Sequence, residues 1–199
     1  MRSGAPSLLP IFRSQHQAEL LTAMLLHPDR QYTLTELSTK LQVPVTTLQR
    51  EVGRLVEAGL LTERRVGRSR LLAANPANRY AGPLTQLVAL AFGPIVVVEE
   101  EYRGIDGVDA VAIYGSWAAR YAGEPGPPPN DLDVLIIGSP DRTLVYEAAD
   151  RVERHLDLPV GPTVCSLRRW VQANDALIQQ LRSSPLVWVL GDPDRLVDA

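Results

Sequence analysis

The sequence holds a single cysteine, Cys165, in 199 residues. One thiol excludes an internal disulfide framework and suits a reducing compartment, where Cys165 reads as a small buried hydrophobe. Histidine is scarce too, and His16, His27 and His155 are too scattered to form a ligand cluster. There is no Gly-x-Ser-x-Gly elbow and no Gly-Lys-Ser/Thr phosphate loop, so neither chemistry is expected. The longest apolar run, Leu87 to Val98, has twelve residues, short of the roughly 18–20 that span a bilayer. The patch Leu8, Leu9, Ile11 and Phe12 is broken by Pro10 and is too small for a signal-peptide core. No internal repeat occurs, and Pro125 to Pro129 is a short loop, not a low-complexity tract. These absences lead to the expectation of a soluble cytoplasmic protein with no membrane partner.

What is present suits globular folding. Hydrophobic residues make up 45% and charged residues 22%, enough apolar material for two modest cores. The net charge of −3 conceals an asymmetry. Residues 1–79 carry 11 Arg+Lys against 6 Asp+Glu, a balance of +5; residues 80–199 carry 9 against 17, a balance of −8. A polyanion partner is expected for the front half alone.

In the front half, a first helix is expected from near Ser14 to His27-Pro28, with Leu21, Met24 and Leu25 at helical spacing. Thr33-Leu-Thr-Glu36 is a capping box that starts a second helix, with Leu34, Leu37 and Leu41 as its buried stripe. Pro44 fits the first position of a third helix. Val45, Leu48, Val52, Leu55 and Val56 follow at helical spacing, with Gly59 as a C-terminal cap. Leu60–Arg65 and Ser69–Ala73 then flank Val66-Gly67-Arg68 as a hairpin. This order is that of a winged helix-turn-helix.

A helix that enters the major groove must show polar side chains opposite its core stripe. The third helix offers Thr46, Thr47, Gln49, Arg50 and Arg54. The hairpin adds Arg64, Arg65, Arg68 and Arg70, four arginines in seven residues, suited to phosphate contact. Double-stranded DNA is the expected partner. Residues 14–75 resemble the winged helix-turn-helix domains of the ArsR and MarR regulators. The resemblance rests on Thr33-Leu-Thr-Glu-Leu-Ser38 and Gly59-Leu-Leu-Thr-Glu-Arg-Arg-Val-Gly-Arg-Ser-Arg-Leu71. It implies a homodimer on a near-palindromic operator. No sensor cysteine pair is present, so metal sensing is not implied.

The rear half alternates strand and helix. A long helix over 79–104, kinked at Gly93-Pro94, precedes strands at Val108–Tyr114, Asp131–Gly138, Val160–Ser166 and Leu186–Leu190. Helices are expected at Thr143–Leu156 and Leu167–Arg182. Residues i and i+2 of a strand face one side, so Asp131 and Asp133 point together at the start of an apolar strand. Like charges so placed repel without a cation between them. Magnesium carrying a nucleoside triphosphate is the natural answer. Gly115-Ser116 ends the preceding strand, where backbone and hydroxyl can meet phosphate.

Gly115-Ser116 followed by Asp131-Leu-Asp133 resembles the minimal nucleotidyltransferase domains of the DNA polymerase β superfamily, over about residues 106–166. The resemblance implies Gly115 and Ser116 as phosphate-binding residues and Asp131 and Asp133 as metal ligands. Active members place a third acid on the next strand, but here that strand reads Val160-Gly-Pro-Thr-Val-Cys-Ser166, and Asp157 precedes it. No catalytic residue is assigned. The expected architecture is α+β in two domains. A winged helix-turn-helix over 1–78 and a linker or dimerisation helix over 79–105 precede a nucleotidyltransferase-like α/β domain with a small mixed sheet over 106–199. The expected function is transcriptional regulation, with the rear domain a nucleotide sensor or degenerate. The alternatives are an active nucleotidyltransferase, or an antitoxin with a partner toxin.

Overall fold

A computed structural model describes residues 12–127 and 129–191. The patch at Leu8, Leu9 and Ile11 lies outside the described residues, as does Pro128 in the proline-rich loop. The architecture is α+β, and the chain divides into two compact units, residues 1–93 and 94–199.

The first unit runs α1 (Gln15–Leu25), β1 (Gln31–Thr33), α2 (Leu34–Leu41), α3 (Val45–Glu57), β2 (Leu61–Val66), β3 (Ser69–Ala74) and α4 (Ala81–Phe92). Ser14 caps α1 by accepting the Gln17 amide at 3.2 Å. The capping box on α2 is complete. The Glu36 amide donates to Thr33 Oγ1 at 3.2 Å, and the Thr33 amide donates to Glu36 Oε2 at 2.6 Å. That backbone bond, with the Thr33 hydroxyl, holds the Glu36 carboxyl below its usual range. Pro44 is the residue before α3, not its first helical residue. Its ring can sit there because the N-terminal amides of a helix need no intrahelical partner.

The three strands form an antiparallel sheet ordered β1-β3-β2. β1 was not expected, since three residues are too few to display a period. Gly67 adopts φ +59° in the β2–β3 turn, a conformation that side chains with a Cβ resist. Leu20, Met24, Leu37, Leu48, Val52 and Leu72 are fully buried in one core, joined by Val88 of α4. Phe12 packs edge-on against Phe92, ring centroids 5.4 Å apart.

The second unit runs α5 (Pro94–Tyr102), β4 (Val108–Tyr114), α6 (Gly115–Tyr121), β5 (Leu132–Gly138), α7 (Arg142–Leu156), β6 (Val160–Cys165), α8 (Leu167–Gln172), α9 (Ala176–Ser183) and β7 (Val187–Leu190). Its sheet is mixed, ordered β6-β5-β4-β7, with β5 and β6 parallel and the other pairs antiparallel. One face carries Val111, Ile113, Val134 and Ile136 against Val97, Val98 and Tyr102 of α5 and Val145 and Val152 of α7. The other carries Ala110, Leu135 and Ile137 against Trp170 of α8 and Ile178 and Leu181 of α9.

Three expectations are corrected. The helix expected over 79–104 is two helices, because Gly93 is extended (φ −88°, ψ −170°) and Pro94 begins the next. The helix expected over 167–182 is also two, broken at Ala173 in the left-handed region (φ 47°). Arg169 spans that break, with Nε and Nη2 on Asp175 at 2.8 and 3.1 Å. Finally, among the described residues, 81–102 counted through Gly93 are long and apolar enough, by length and composition, to cross a membrane. The twelve-residue run understated this stretch because Thr85 and Gln86 interrupt the apolar run without ending the helix. Val88 lies in the core of the first unit, and Val97, Val98 and Tyr102 lie in that of the second.

Leu48 anchors α3 with no exposed surface. Leu48→Ala should cost about 2–5 kcal/mol of unfolding free energy, read by urea denaturation. A negligible loss would mean that α3 is not seated on this core.

Candidate functional site

Two groups of residues carry chemistry. On α3, burial of Leu48, Val52 and Leu55 turns the opposite face outward. Thr46, Gln49, Arg50 and Arg54 are exposed, and Thr47 is half-buried. Arg54 is engaged by Glu51 one turn back, at 2.6 Å. Arg50 has no ion-pair or side-chain hydrogen-bond partner among the described residues.

The hairpin divides its arginines. Arg64 reaches across the sheet to Gln31 of β1, with Nη2 and Nε at 2.7 and 3.2 Å from its amide oxygen. Arg70 pairs with Glu63. Arg65 stands directly opposite Arg70 in the β2–β3 register. Like charges so opposed destabilise a strand pair. Glu63 offsets only one of the two, and Arg70 Nε is buried with no partner. Arg68 sits in the turn beside Gly67 and is exposed. Thus, among the described residues, Arg50, Arg65 and Arg68 have no ion-pair or side-chain hydrogen-bond partner and can meet an external anion, while Arg54, Arg64 and Arg70 hold internal partners.

The second group gathers where β4 ends and β5 and β6 begin. β5 starts at Leu132, so Asp131 lies just before the strand and is exposed. Asp133 is within it and half-buried. Burial pushes the Asp133 carboxyl up, and the Asp131 charge pushes it further the same way. Gly115 follows β4 with φ +71°, and a Cβ there would collide with the Asp133 carboxylate. The backbone thus passes close over the acid, as only glycine allows. Ser116 is exposed at the start of α6. The structure therefore brings Gly115, Ser116, Asp131 and Asp133 together.

Three further residues frame this site. Tyr114, Asp133 and Gly161 form one row across β4, β5 and β6. The Tyr114 hydroxyl crosses β5 to lie 3.0 Å from Thr163 Oγ1 on β6, walling the inner side of the Asp133 carboxyl. Gly161 is exposed on the edge strand, and a Cβ there would lie 3.5 Å from Asp133 Oδ1. Sequence reasoning missed Tyr114, Thr163 and Gly161 because only strand register makes them neighbours. Among the described residues no three of His, Cys, Asp or Glu group together, so Asp157 does not join the pair.

No family model matches the chain. No curated protein matches it either. Solved structures similar to parts of it include reduced HlyU from Vibrio cholerae N16961, at 17% identity. That likeness covers 44% of this chain and 86% of HlyU, with a TM-score of 0.36. Lactococcus lactis ZitR is similar at 16% identity over 51% of this chain and 63% of that one, with a TM-score of 0.37. A toxin-antitoxin structure with AMP-PNP is similar at 16% identity over 51% of this chain and 77% of that one, with a TM-score of 0.37.

The raised Asp133 carboxyl has a consequence for stability. The folded state holds this proton more tightly than the unfolded chain, so the contribution of Asp133 to stability is greatest at low pH and falls as pH rises through the raised value. Asp133→Asn removes the burdened charge. It should melt a few degrees above the parent at neutral pH, and the gap should close as pH falls through the carboxylate range. Equal or lower melting at neutral pH would show that the acid is not under strain.

Proposed function

We propose that this chain is a DNA-binding transcriptional regulator whose rear unit senses a nucleotide. The observation that carries the first part is the pairing of an outward polar face on α3 with a hairpin whose Arg65 and Arg70 oppose each other. Phosphates lying across the hairpin would relieve that repulsion. Thr46, Gln49 and Arg50 are the base-reading candidates on α3, with Thr47 at their edge. Arg65 and Arg68 are the phosphate contacts, and Arg54, Arg64 and Arg70 support them through their internal partners. The exposed Leu87 and Leu90 on α4 support a homodimer, with one copy on each half of an operator. A protein so engaged works beside DNA, in the cytoplasm.

The rear unit suits binding more than transfer. Asp131 and Asp133 fit one divalent cation: the Asp131 charge acts on Asp133, and among the described residues neither carboxylate has an ion-pair partner. Such a cation, when bound, would bring a nucleotide's phosphates to the site. The chain itself supplies the Gly115 backbone, the Ser116 hydroxyl and the wall of Tyr114 and Thr163. Magnesium-dependent nucleotidyl transfer needs more donors than the described residues gather. An antitoxin role with a partner toxin would use the same DNA face, and co-purification with the product of a neighbouring gene would reveal it.

Two measurements test these assignments. A duplex selected from a random pool, and a random duplex beside it, serve in fluorescence anisotropy. Arg50→Ala should cost about 1–3 kcal/mol on the selected duplex. Arg68→Ala should weaken both alike and reduce the salt slope by about one. Parental binding by both variants overturns the DNA reading. In calorimetric titration with ATP, CTP, GTP and UTP, binding should require magnesium and vanish in Asp133→Ala. No binding to any of the four overturns the sensor reading.

A further inference from the structure

The ion pair of Glu51 and Arg54 on α3 leaves one polar atom unaccounted for. The Glu51 side chain is only 12% exposed. Its Oε1 accepts from Arg54 Nη1 at 2.6 Å. Its Oε2 is buried with no hydrogen-bond partner among the described residues. A buried carboxylate oxygen left unpaired costs stability, and an ion pair three residues apart on a helix returns little. Stability therefore does not account for an acid at this position. Its neighbours point to another role. Arg50 and Arg54 stand four residues apart on α3 and so share a stripe of the helix. Arg50, beside Glu51 in the chain, is exposed with no ion-pair or side-chain hydrogen-bond partner among the described residues, whereas Glu51 holds Arg54.

We infer that Glu51 is a specificity-determining residue: it fixes Arg54 in one place and so keeps that arginine from gripping the phosphates of random DNA. The inference rests on the DNA-binding reading of the same helix. A free arginine follows any duplex, because its long side chain adapts and the phosphate backbone carries no sequence information. An arginine fixed by a nearly buried acid serves only a backbone that runs past it, as happens once base contacts have set the register. The acid also cancels the Arg54 charge, so the pair adds little to the long-range pull of this unit on a polyanion. Arg50, Arg65 and Arg68 keep theirs. Discrimination is a difference of two affinities, and weakening the hold on random DNA raises it as surely as improving the match.

The test uses the full chain and fluorescence anisotropy with the selected and random duplexes. Glu51→Gln, matched in size but uncharged, should bind the random duplex at least about threefold more tightly than the parent, with a salt slope steeper by about one. The selected duplex should gain less, so the ratio of the two affinities should fall. In an Arg54→Ala background, Glu51→Gln should leave the slope on the random duplex unchanged, since no arginine is freed to reach a phosphate. Glu57→Gln, which removes an exposed acid from the same helix, should leave that slope unchanged too. An unchanged slope in Glu51→Gln, an equal gain on both duplexes, or a steeper slope in the Arg54→Ala background overturns the inference. The DNA reading survives any of these as long as Arg50→Ala still weakens binding to the selected duplex. Parental binding by both Arg50→Ala and Arg68→Ala overturns both. Should Glu51→Gln fail to fold, Glu51→Leu, which removes the unpaired oxygen along with the charge, decides by the same readouts.

Discussion

The second unit depends on the register of β5. Leu132, Val134, Leu135, Ile136 and Ile137 are fully buried between two helical layers, and a slip of one residue would send every side chain to the wrong face. That cost pins Asp133 at a set height in the sheet. The neighbours of Asp133 follow: Tyr114 on one side, Gly161 on the other, and the Gly115 backbone above. The site borrows its precision from hydrophobic packing deeper in the strand. Its charges contribute none of it, since the two carboxylates repel.

The first unit applies the same logic to a helix. Leu48, Val52 and Leu55 occupy one stripe of α3 and commit it to the core. The polar residues between them have nowhere to go but outward. The hairpin beyond is held by β1, and Arg64 helps by crossing to Gln31. An arginine read as a free phosphate contact is thus partly a structural tie, while Arg65 and Arg68 stay available. Both units pair a satisfied apolar scaffold with an electrostatically unsatisfied edge, positive in the first and negative in the second.

Much of this was legible beforehand. The capping box at Thr33, the α3 stripe, the turn at Gly67 and strand β4 lie where local sequence places them, because each depends on residues a few positions apart. The failures also have physical causes. β1 is too short to show a period and exists only because β3 offers it an edge. The breaks at Gly93 and Ala173 fall inside apolar patterns that continue on both sides. Asp131 was assigned to β5, but pairing begins one residue later, where the Leu132 amide meets the Pro159 carbonyl at 2.8 Å.

By itself, the sequence determined most of the order of elements, β1 and two helix breaks excepted, together with the faces they bury, the basic hairpin and the two candidate carboxylates, since these follow from composition and short-range spacing. Only the tertiary structure decided which arginines are already paired and that Arg65 opposes Arg70. It alone set Gly161, not an acid, against Asp133, and stretched Tyr114 across to Thr163. Apart from the Arg54–Glu51 pair within α3, these are relations between residues 5 to 49 positions apart, and strand register and packing, which no local pattern encodes, bring them together.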